Sequence, residues 1–239
     1  MNLTNVHISP DGTHHVYKEK PLYRRRFLHV GSFHKPGVAA VSDRCGAYHI
    51  DLAGKPLYRN RFKKTFGYYQ GFAAVLDYSG FWHIDIRGKQ VYEQKYTWAG
   101  NFQEDRAPVK DVEGNYYHIT KKGDRAYGQH YRYVGDYKNG MAVVYEIDGQ
   151  ARYIDKGGKA LDIARHPVLW PYHKDFAVAR DVIGFFHIDR KGNSLYTDRY
   201  QWTEPFYNGF AVVQRFDGNL GIIDEAGRWV HLIGKLGGY

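Results

Sequence analysis

Apolar and polar positions along this chain repeat in blocks. Each block opens on a run of small apolar residues: Val38-Ala39-Ala40-Val41, Phe72-Ala73-Ala74-Val75, Arg106-Ala107-Pro108-Val109, Met141-Ala142-Val143-Val144, Phe176-Ala177-Val178-Ala179 and Phe210-Ala211-Val212-Val213. Runs apolar at successive positions are expected to be covered on both faces. A glycine turn follows, then a strand read as alternating, with Trp82 and Ile84 on one face and His83 and Asp85 on the other. That strand ends in Asp-x-x-Gly, as in Asp51 to Gly54, Asp85 to Gly88 and Asp189 to Gly192. A return strand such as Pro56-Leu57-Tyr58 comes next, often followed by a short extended piece such as Arg61-Phe62. Short strands at this spacing, with glycine turns between them, predict antiparallel hairpins. No segment keeps apolar residues at helical spacing over a helical length.

The frame glycines Gly46, Gly80, Gly114, Gly149, Gly184 and Gly218 are separated by 34, 34, 35, 35 and 34 residues. A fixed period in that range decides the architecture before anything else does. The expected fold is all-β, built of tandem antiparallel β repeats. A propeller-like ring of about six small blades with stunted outer strands is favoured, and an open β-solenoid is the alternative. The expected organisation is one continuous body over residues 1–233, with 234–239 as a tail or the start of a linker. The first period is irregular. Val6 to Gly12 mimics the His-Ile-Asp hairpin, and Lys20-Pro21-Leu22-Tyr23 matches Lys55-Pro56-Leu57-Tyr58. The terminal units read as partial, either completing one another or capping a solenoid.

Composition adds little to the architecture and more to the partners. Aromatic residues reach 17%, with 22 tyrosines, which is ample material for a packed interior. The net charge of +9 attracts anionic partners at long range. Arg24, Arg25 and Arg26 are the only tight basic run, read as a solvated strand edge. The single cysteine, Cys45, excludes an intrachain disulfide and fits a reducing compartment. The first residues carry no secretory signal pattern, and no apolar run is long enough to span a bilayer. A cytoplasmic location is expected.

The order of small-apolar strand, glycine turn, aromatic strand, Ile-Asp-x-x-Gly-Lys and Tyr-x-x-Arg-Phe/Tyr resembles the bacterial WG (KWG) repeat over about residues 6 to 233. The eponymous Trp-Gly is absent; Phe185-Phe186-His187-Ile188-Asp189 and its equivalents stand in its place. This His-Ile-Asp variant is similar to repeat regions that precede the catalytic domain of certain bacterial S-adenosylmethionine-dependent methyltransferases. The likeness is greatest at Tyr172 to Asp181 and at Glu204 to Gly209. It implies a repeat fold and a non-catalytic accessory role beside a methyltransferase domain or subunit.

Residues able to carry chemistry lie both within the repeat and at its exceptions. His7, His49, His83, His118 and His187 share one repeat position; each is expected to make the same structural hydrogen bond in its own unit, and His14-His15 reads as exposed strand. Asp43, Asp77, Asp111, Glu146 and Asp181 recur before the frame-glycine turn, as turn caps do and a unique catalytic pair does not. Gly234-x-x-Gly237-Gly238 is not followed by a helix and reads as tail. No catalytic constellation, metal site or cofactor is expected. Binding sites are better sought where the repeat breaks its rule. Arg106 stands in an apolar slot, Arg180 stands where its counterparts are Leu76, Lys110 and Tyr145, and Arg165 to Lys174 is the most irregular joint. The expected ligand or partner contacts are Arg106, Trp170, Tyr172, His173, Lys174, Arg180 and Tyr207. The leading reading is a non-catalytic interaction module that recognises a protein or peptide, substrate or partner, for an associated methyltransferase. A lectin-like or other small-ligand-binding repeat is the alternative, and nucleic-acid binding stands behind both.

Overall fold

The computed structural model describes residues 2–235. After a single 3-10 turn at Leu3–Asn5, the described residues hold 22 strands and no α-helix. They form seven small antiparallel sheets, each made of consecutive strands. Sheet 1 holds β1 (Val6–Ile8), β2 (His15–Tyr17) and β3 (Lys20–Pro21). Sheet 2 holds β4 (His29–Val30), β5 (Ala39–Asp43) and β6 (Gly46–Ile50), and sheet 3 holds β7 (Lys64–Thr65), β8 (Ala73–Asp77) and β9 (Gly80–Ile84). Sheet 4 holds β10 (Trp98–Ala99), β11 (Arg106–Lys110) and β12 (Tyr116–Thr120). Sheet 5 holds β13 (Tyr133–Val134), β14 (Met141–Tyr145) and β15 (Ala151–Asp155), and sheet 6 holds β16 (Val168–Leu169), β17 (Ala177–Arg180) and β18 (Phe185–Ile188). Sheet 7 has four strands: β19 (Trp202–Thr203), β20 (Phe210–Gln214), β21 (Asn219–Asp224) and β22 (Trp229–Lys235). The chain divides into two compact units, Met1–His130 with sheets 1 to 4 and Tyr131–Tyr239 with sheets 5 to 7.

The small-apolar run is the middle strand of sheets 2 to 6 and the second strand of sheet 7. Ala39, Ala73, Val75, Ala107, Val109, Val144 and Ala179 are fully buried, as runs apolar at successive positions require. The return segment is a stunted outer strand. Beside β6 it is tied by bridges at Ala47↔Phe62 and Ile50↔Pro56, and beside β9 at Phe81↔Tyr96 and Ile84↔Gln90. The frame glycine is needed because this segment comes so close. Gly46 has φ +124°, and a Cβ there would stand 2.8 Å from the Phe62 carbonyl oxygen.

Burial corrects the alternating reading of the aromatic strand. His83 is as fully buried as its neighbour Ile84, so both faces of β9 are covered. The cores lie where one unit's return segment packs on the next sheet, as Phe62 does with Ala73, Val75, Trp82 and Ile84. The first period is corrected too. Val6–Ile8 pairs with His15–Tyr17, so β1 and β2 correspond to the middle and aromatic strands of later sheets. Thus His15, not His7, holds the histidine position; His15 is fully buried and His7 is exposed. The turn after β2 is one residue shorter than its counterparts and puts Lys18 and Glu19 at positive φ. The expected tail starts at Gly234, yet β22 runs to Lys235; Gly237 and Gly238 lie outside the described residues.

Candidate functional site

The histidine column forms one hydrogen-bond relay. Nε2 of His15, His49, His83 and His187 meets the carbonyl oxygens of Gly31, Phe66, Gly100 and Glu204 at 2.7–2.8 Å. A carbonyl only accepts, so Nε2 carries the proton and Nδ1 is the acceptor of a neutral imidazole. The hydroxyls of Tyr23, Tyr58 and Tyr196 donate to Nδ1 of His15, His49 and His187 at 2.5 Å, and Tyr92 does so to His83. Burial holds His49, His83 and His187 down to about 4, which keeps them neutral. Each relay ties an aromatic strand to the next sheet. The same tyrosine ring also covers the following unit's turn glycine: a Cβ on Gly54 would stand 2.7 Å from the Tyr23 ring.

The acids are likewise used within the fold. Asp51, Asp85, Asp155, Asp189 and Asp224 each accept two backbone N–H bonds through Oδ1, from the residues two and four positions on. Asp43, Asp77, Asp111 and Asp181 cap their turns by accepting from Cys45, Tyr78, Asn115 and Ile183 at 2.8 Å. Glu146 departs from capping and takes Arg165 at 2.6 Å. The Arg24–Arg26 run is also tied down. Arg26 Nη1 donates to the carbonyls of Tyr23, Arg24 and Arg25, and Arg25 Nη2 lies 3.1 Å from Asp43. Among the described residues no group of three His, Cys, Asp or Glu side chains is placed to hold a metal ion.

Of the residues at which the repeat breaks its rule, the structure gathers four near one end of sheets 6 and 7. The His173 ring lies 4.6 Å from that of Tyr207, and its Nδ1–H donates to the Phe206 carbonyl at 2.9 Å. Lys174 is exposed, and its carbonyl accepts from Arg190. Tyr172 is buried, and its hydroxyl donates to the Asp189 carbonyl at 2.8 Å; it packs the fold and is not an exposed contact. Arg190 was not anticipated: its guanidinium lies 4.7 Å over the Tyr172 ring, but its turn has no sequence feature that sets it apart. Trp170 is half-buried, and its carbonyl accepts from the Tyr153 hydroxyl at 2.6 Å. Arg180 is exposed at the far end of β17, 5.4 Å over the Phe185 ring. Arg106, in the first compact unit, is half-buried and donates to the Asp105 carbonyl at 3.1 Å.

Two features escaped the sequence reading. One is a cavity of about 370 Å³ lined by β4, β5 and Lys63–Phe66. Its wall is the cross-strand row His29–Ser42–Ala47, where sheet 3 has Lys64–Leu76–Phe81 and sheet 4 has Trp98–Lys110–Tyr116. The other is the tip of the frame-glycine turn. Tyr78, Val112, Ile147, Val182 and Phe216 hold the same turn position and are 88%, 78%, 79%, 94% and 60% exposed. Turn tips ordinarily carry Gly, Asn, Asp or Ser.

The fold and this repeated relay define an all-β tandem-repeat protein whose histidines tie successive units together and whose aspartates cap the turns within each unit. Residues 84–116 and 188–219 match the family described as WG containing repeat. No curated protein matches the chain. Among solved structures it is similar to the computationally designed Ika8 protein, at 12% identity and a TM-score of 0.56 over 95% of this chain and 82% of that one. BamB from Moraxella catarrhalis is similar at 14% identity and a TM-score of 0.52, over 92% of this chain and 76% of that one. KlHsv2, the Kluyveromyces lactis protein with loop 6CD replaced by a Gly-Ser linker, gives 9% identity and a TM-score of 0.54 over 87% and 84%. BamB and Hsv2 are propeller-like, and the likeness is one of fold. No helix among the described residues is long and apolar enough to cross a membrane.

Proposed function

We propose that this chain is a non-catalytic interaction module that grips a protein or peptide partner through its frame-glycine turns. The observation that carries this reading is the recurrence of exposed apolar side chains at one turn position: Tyr78, Val112, Ile147, Val182 and Phe216. Side chains that exposed contribute little to folding, and a repeat that keeps an apolar group exposed at the same turn position offers a partner the same contact unit after unit. The repeat's buried histidines and capping aspartates are occupied in the fold, which leaves few of its acid–base groups for chemistry. The first bait is an S-adenosylmethionine-dependent methyltransferase domain, on the sequence resemblance alone. Tyr78→Ser, Val112→Ser, Ile147→Ser and Val182→Ser should each change stability by less than about 0.5 kcal/mol. They should remove cross-links between these turns and the partner, mapped by mass spectrometry on the full chain. Cross-links that survive all four variants, or substrate turnover by the purified chain, would sink the reading.

A second reading, a small-ligand site, is favoured by the cavity beside the His29–Ser42–Ala47 row. Its volume falls in the range of small-molecule pockets, and Lys63 and Lys64 stand at its edge. Ala47→Phe copies Phe81 and fills the space. Thermal-shift screening with monosaccharides and small carboxylates should give a hit that this variant loses; a hit that it keeps lies elsewhere.

A further inference from the structure

The last sheet inverts a charge that the repeat otherwise keeps. The position before the turn tip is Asp43, Asp77, Asp111, Glu146 and Asp181 in sheets 2 to 6, and Arg215 in sheet 7. In four of those sheets the acid lies beside an arginine: Asp43 with Arg25 at 3.1 Å, Asp111 with Arg125 at 3.6 Å, Glu146 with Arg165 at 2.6 Å and Asp181 with Arg199 at 2.7 Å. A cation also stacks on the aromatic of the third strand, as Arg61 does on Tyr48 and Arg199 on Phe186. In sheet 7 that strand position is Gly221, and the stacked pair is rebuilt from other parts. Arg215 lies 4.2 Å over the ring of Trp229 in β22. Among the described residues no carboxylate lies within ion-pair distance of its guanidinium. The turn itself is capped by Asp217, which accepts from the Asn219 backbone N–H at 2.9 Å.

This arginine opens on a cleft of about 320 Å³ lined by Asp198, Arg199, Tyr200, Arg215, Phe216 and Asp217. Tyr200 is 1% exposed, and among the described residues its hydroxyl has no hydrogen-bond partner. A buried hydroxyl without a partner is costly unless something outside the chain meets it. Phe216 in the cleft wall is exposed, as are Val182 and Ile183 in the turn of the preceding sheet. Phe216 reaches across to the neighbouring turn: a Cβ on Gly184 would stand 2.9 Å from its Cζ. Arg199 is committed to Asp181 and to the carbonyls of Tyr196, Thr197 and Asp198, so Arg215 is the cation that remains.

We propose that Arg215, Phe216 and the Tyr200 hydroxyl form the anchor for a carboxylate-bearing, apolar peptide segment of a partner protein. This rests on the interaction-module reading and names the chemistry of what is gripped. The guanidinium fork, positioned over Trp229, takes the carboxylate in two parallel hydrogen bonds. The neighbouring apolar side chain of the peptide covers Phe216 and Ile183. An anionic bilayer fits less well, because lipid binding draws on a cluster of cations and Asp198 and Asp217 break up any such cluster here, whereas one carboxylate needs only the Arg215 fork.

The test begins with selection of a displayed random heptapeptide library on the full chain and on Arg215→Gln. Peptides enriched on the wild type should place Asp or Glu beside an aromatic or aliphatic residue. A labelled, amidated peptide of that sequence, followed by fluorescence anisotropy, should bind Arg215→Gln about tenfold more weakly. Its Gln-for-Glu counterpart should lose affinity for the wild type to a similar degree. Asp198→Asn removes a like charge and should tighten binding. Arg215 is exposed, and an unchanged melting curve for Arg215→Gln shows that the fold is intact. Equal affinity for Arg215→Gln, or enrichment without acidic residues, overturns the proposal. So does the absence of enrichment combined with Arg215-dependent sedimentation with phosphatidylserine vesicles, which assigns the site to lipid. If partner cross-links at the other turn tips persist in Arg215→Gln, the interaction module stands and this anchor falls.

Discussion

Sheets 3 and 5 solve the same problem with different residues. In sheet 3, His83 takes the Gly100 carbonyl at 2.8 Å and needs Tyr92 to supply a proton to its other nitrogen. In sheet 5, Tyr153 stands at the histidine position and donates directly to the Trp170 carbonyl at 2.6 Å. A tyrosine hydroxyl leaves no second buried nitrogen to satisfy. The partner tyrosine is accordingly absent: Asp162 and Ile163 occupy that stretch, and Ile163 instead of a tyrosine ring covers the next turn glycine, Gly192. The repeat therefore specifies a hydrogen bond between units, and the residues change together to keep it.

The largest way to separate the two designs is acid. Unfolded histidines titrate near 6.5, whereas burial holds His49, His83 and His187 at about 4 in the folded chain. Between those values the unfolded chain binds more protons, so stability falls as pH drops through the window and is nearly flat above it. The loss is on the order of 3 kcal/mol per histidine. Urea midpoints measured from neutral pH downward should show it. Hydrogen exchange should rise first in the histidine-bearing strands β6 and β9, and later in β14 and β15. A stability flat down to pH 4 would refute the neutral relay.

A smaller effect tests whether the residues really exchange as a set. His83→Leu strands the Tyr92 hydroxyl and the Gly100 carbonyl and should cost about 3 kcal/mol in urea denaturation. The double change His83→Tyr with Tyr92→Ile copies sheet 5 and should recover most of that loss. A double variant no more stable than His83→Leu would mean that sheet 5 depends on its own surroundings. The smallest effect is expected for Tyr153→Phe, which strands one carbonyl and should cost about 1–2 kcal/mol by the same measurement.

Much of this was legible in the sequence because it is local. The frame glycines marked turns that need glycine, at Gly46, Gly80 and Gly184 because a neighbouring carbonyl leaves no room for a Cβ and at Gly114, Gly149 and Gly218 because φ is positive, and the Ala-rich runs marked strands covered on both faces. The recurrence of the Asp column identified turn caps, and the structure shows those bonds. Residues singled out as exceptions fared unevenly. His173, Lys174 and Tyr207 lie together, whereas Tyr172 is a core residue whose hydroxyl serves the next unit. A tyrosine beside Lys and His looks like an exposed contact in a string of letters. Its burial depends on a carbonyl 17 residues away.

The sequence by itself determined the period, the all-β class, the antiparallel hairpins and the positions of the turns, because glycine, Asp caps and apolar runs act on their immediate neighbours. Tertiary structure alone decided which polar groups are buried. His15 was exchanged for His7 as the buried histidine by the strand pairing of the first unit. The relay from histidine to the next sheet joins residues 16 or 17 apart, a span that no local pattern encodes. The guanidinium of Arg215, without an ion-pair partner among the described residues, likewise became meaningful only once Trp229, Tyr200 and the neighbouring turn stood around it. A charge read along the chain is a count; its partners are fixed by packing, which draws on distant segments at once.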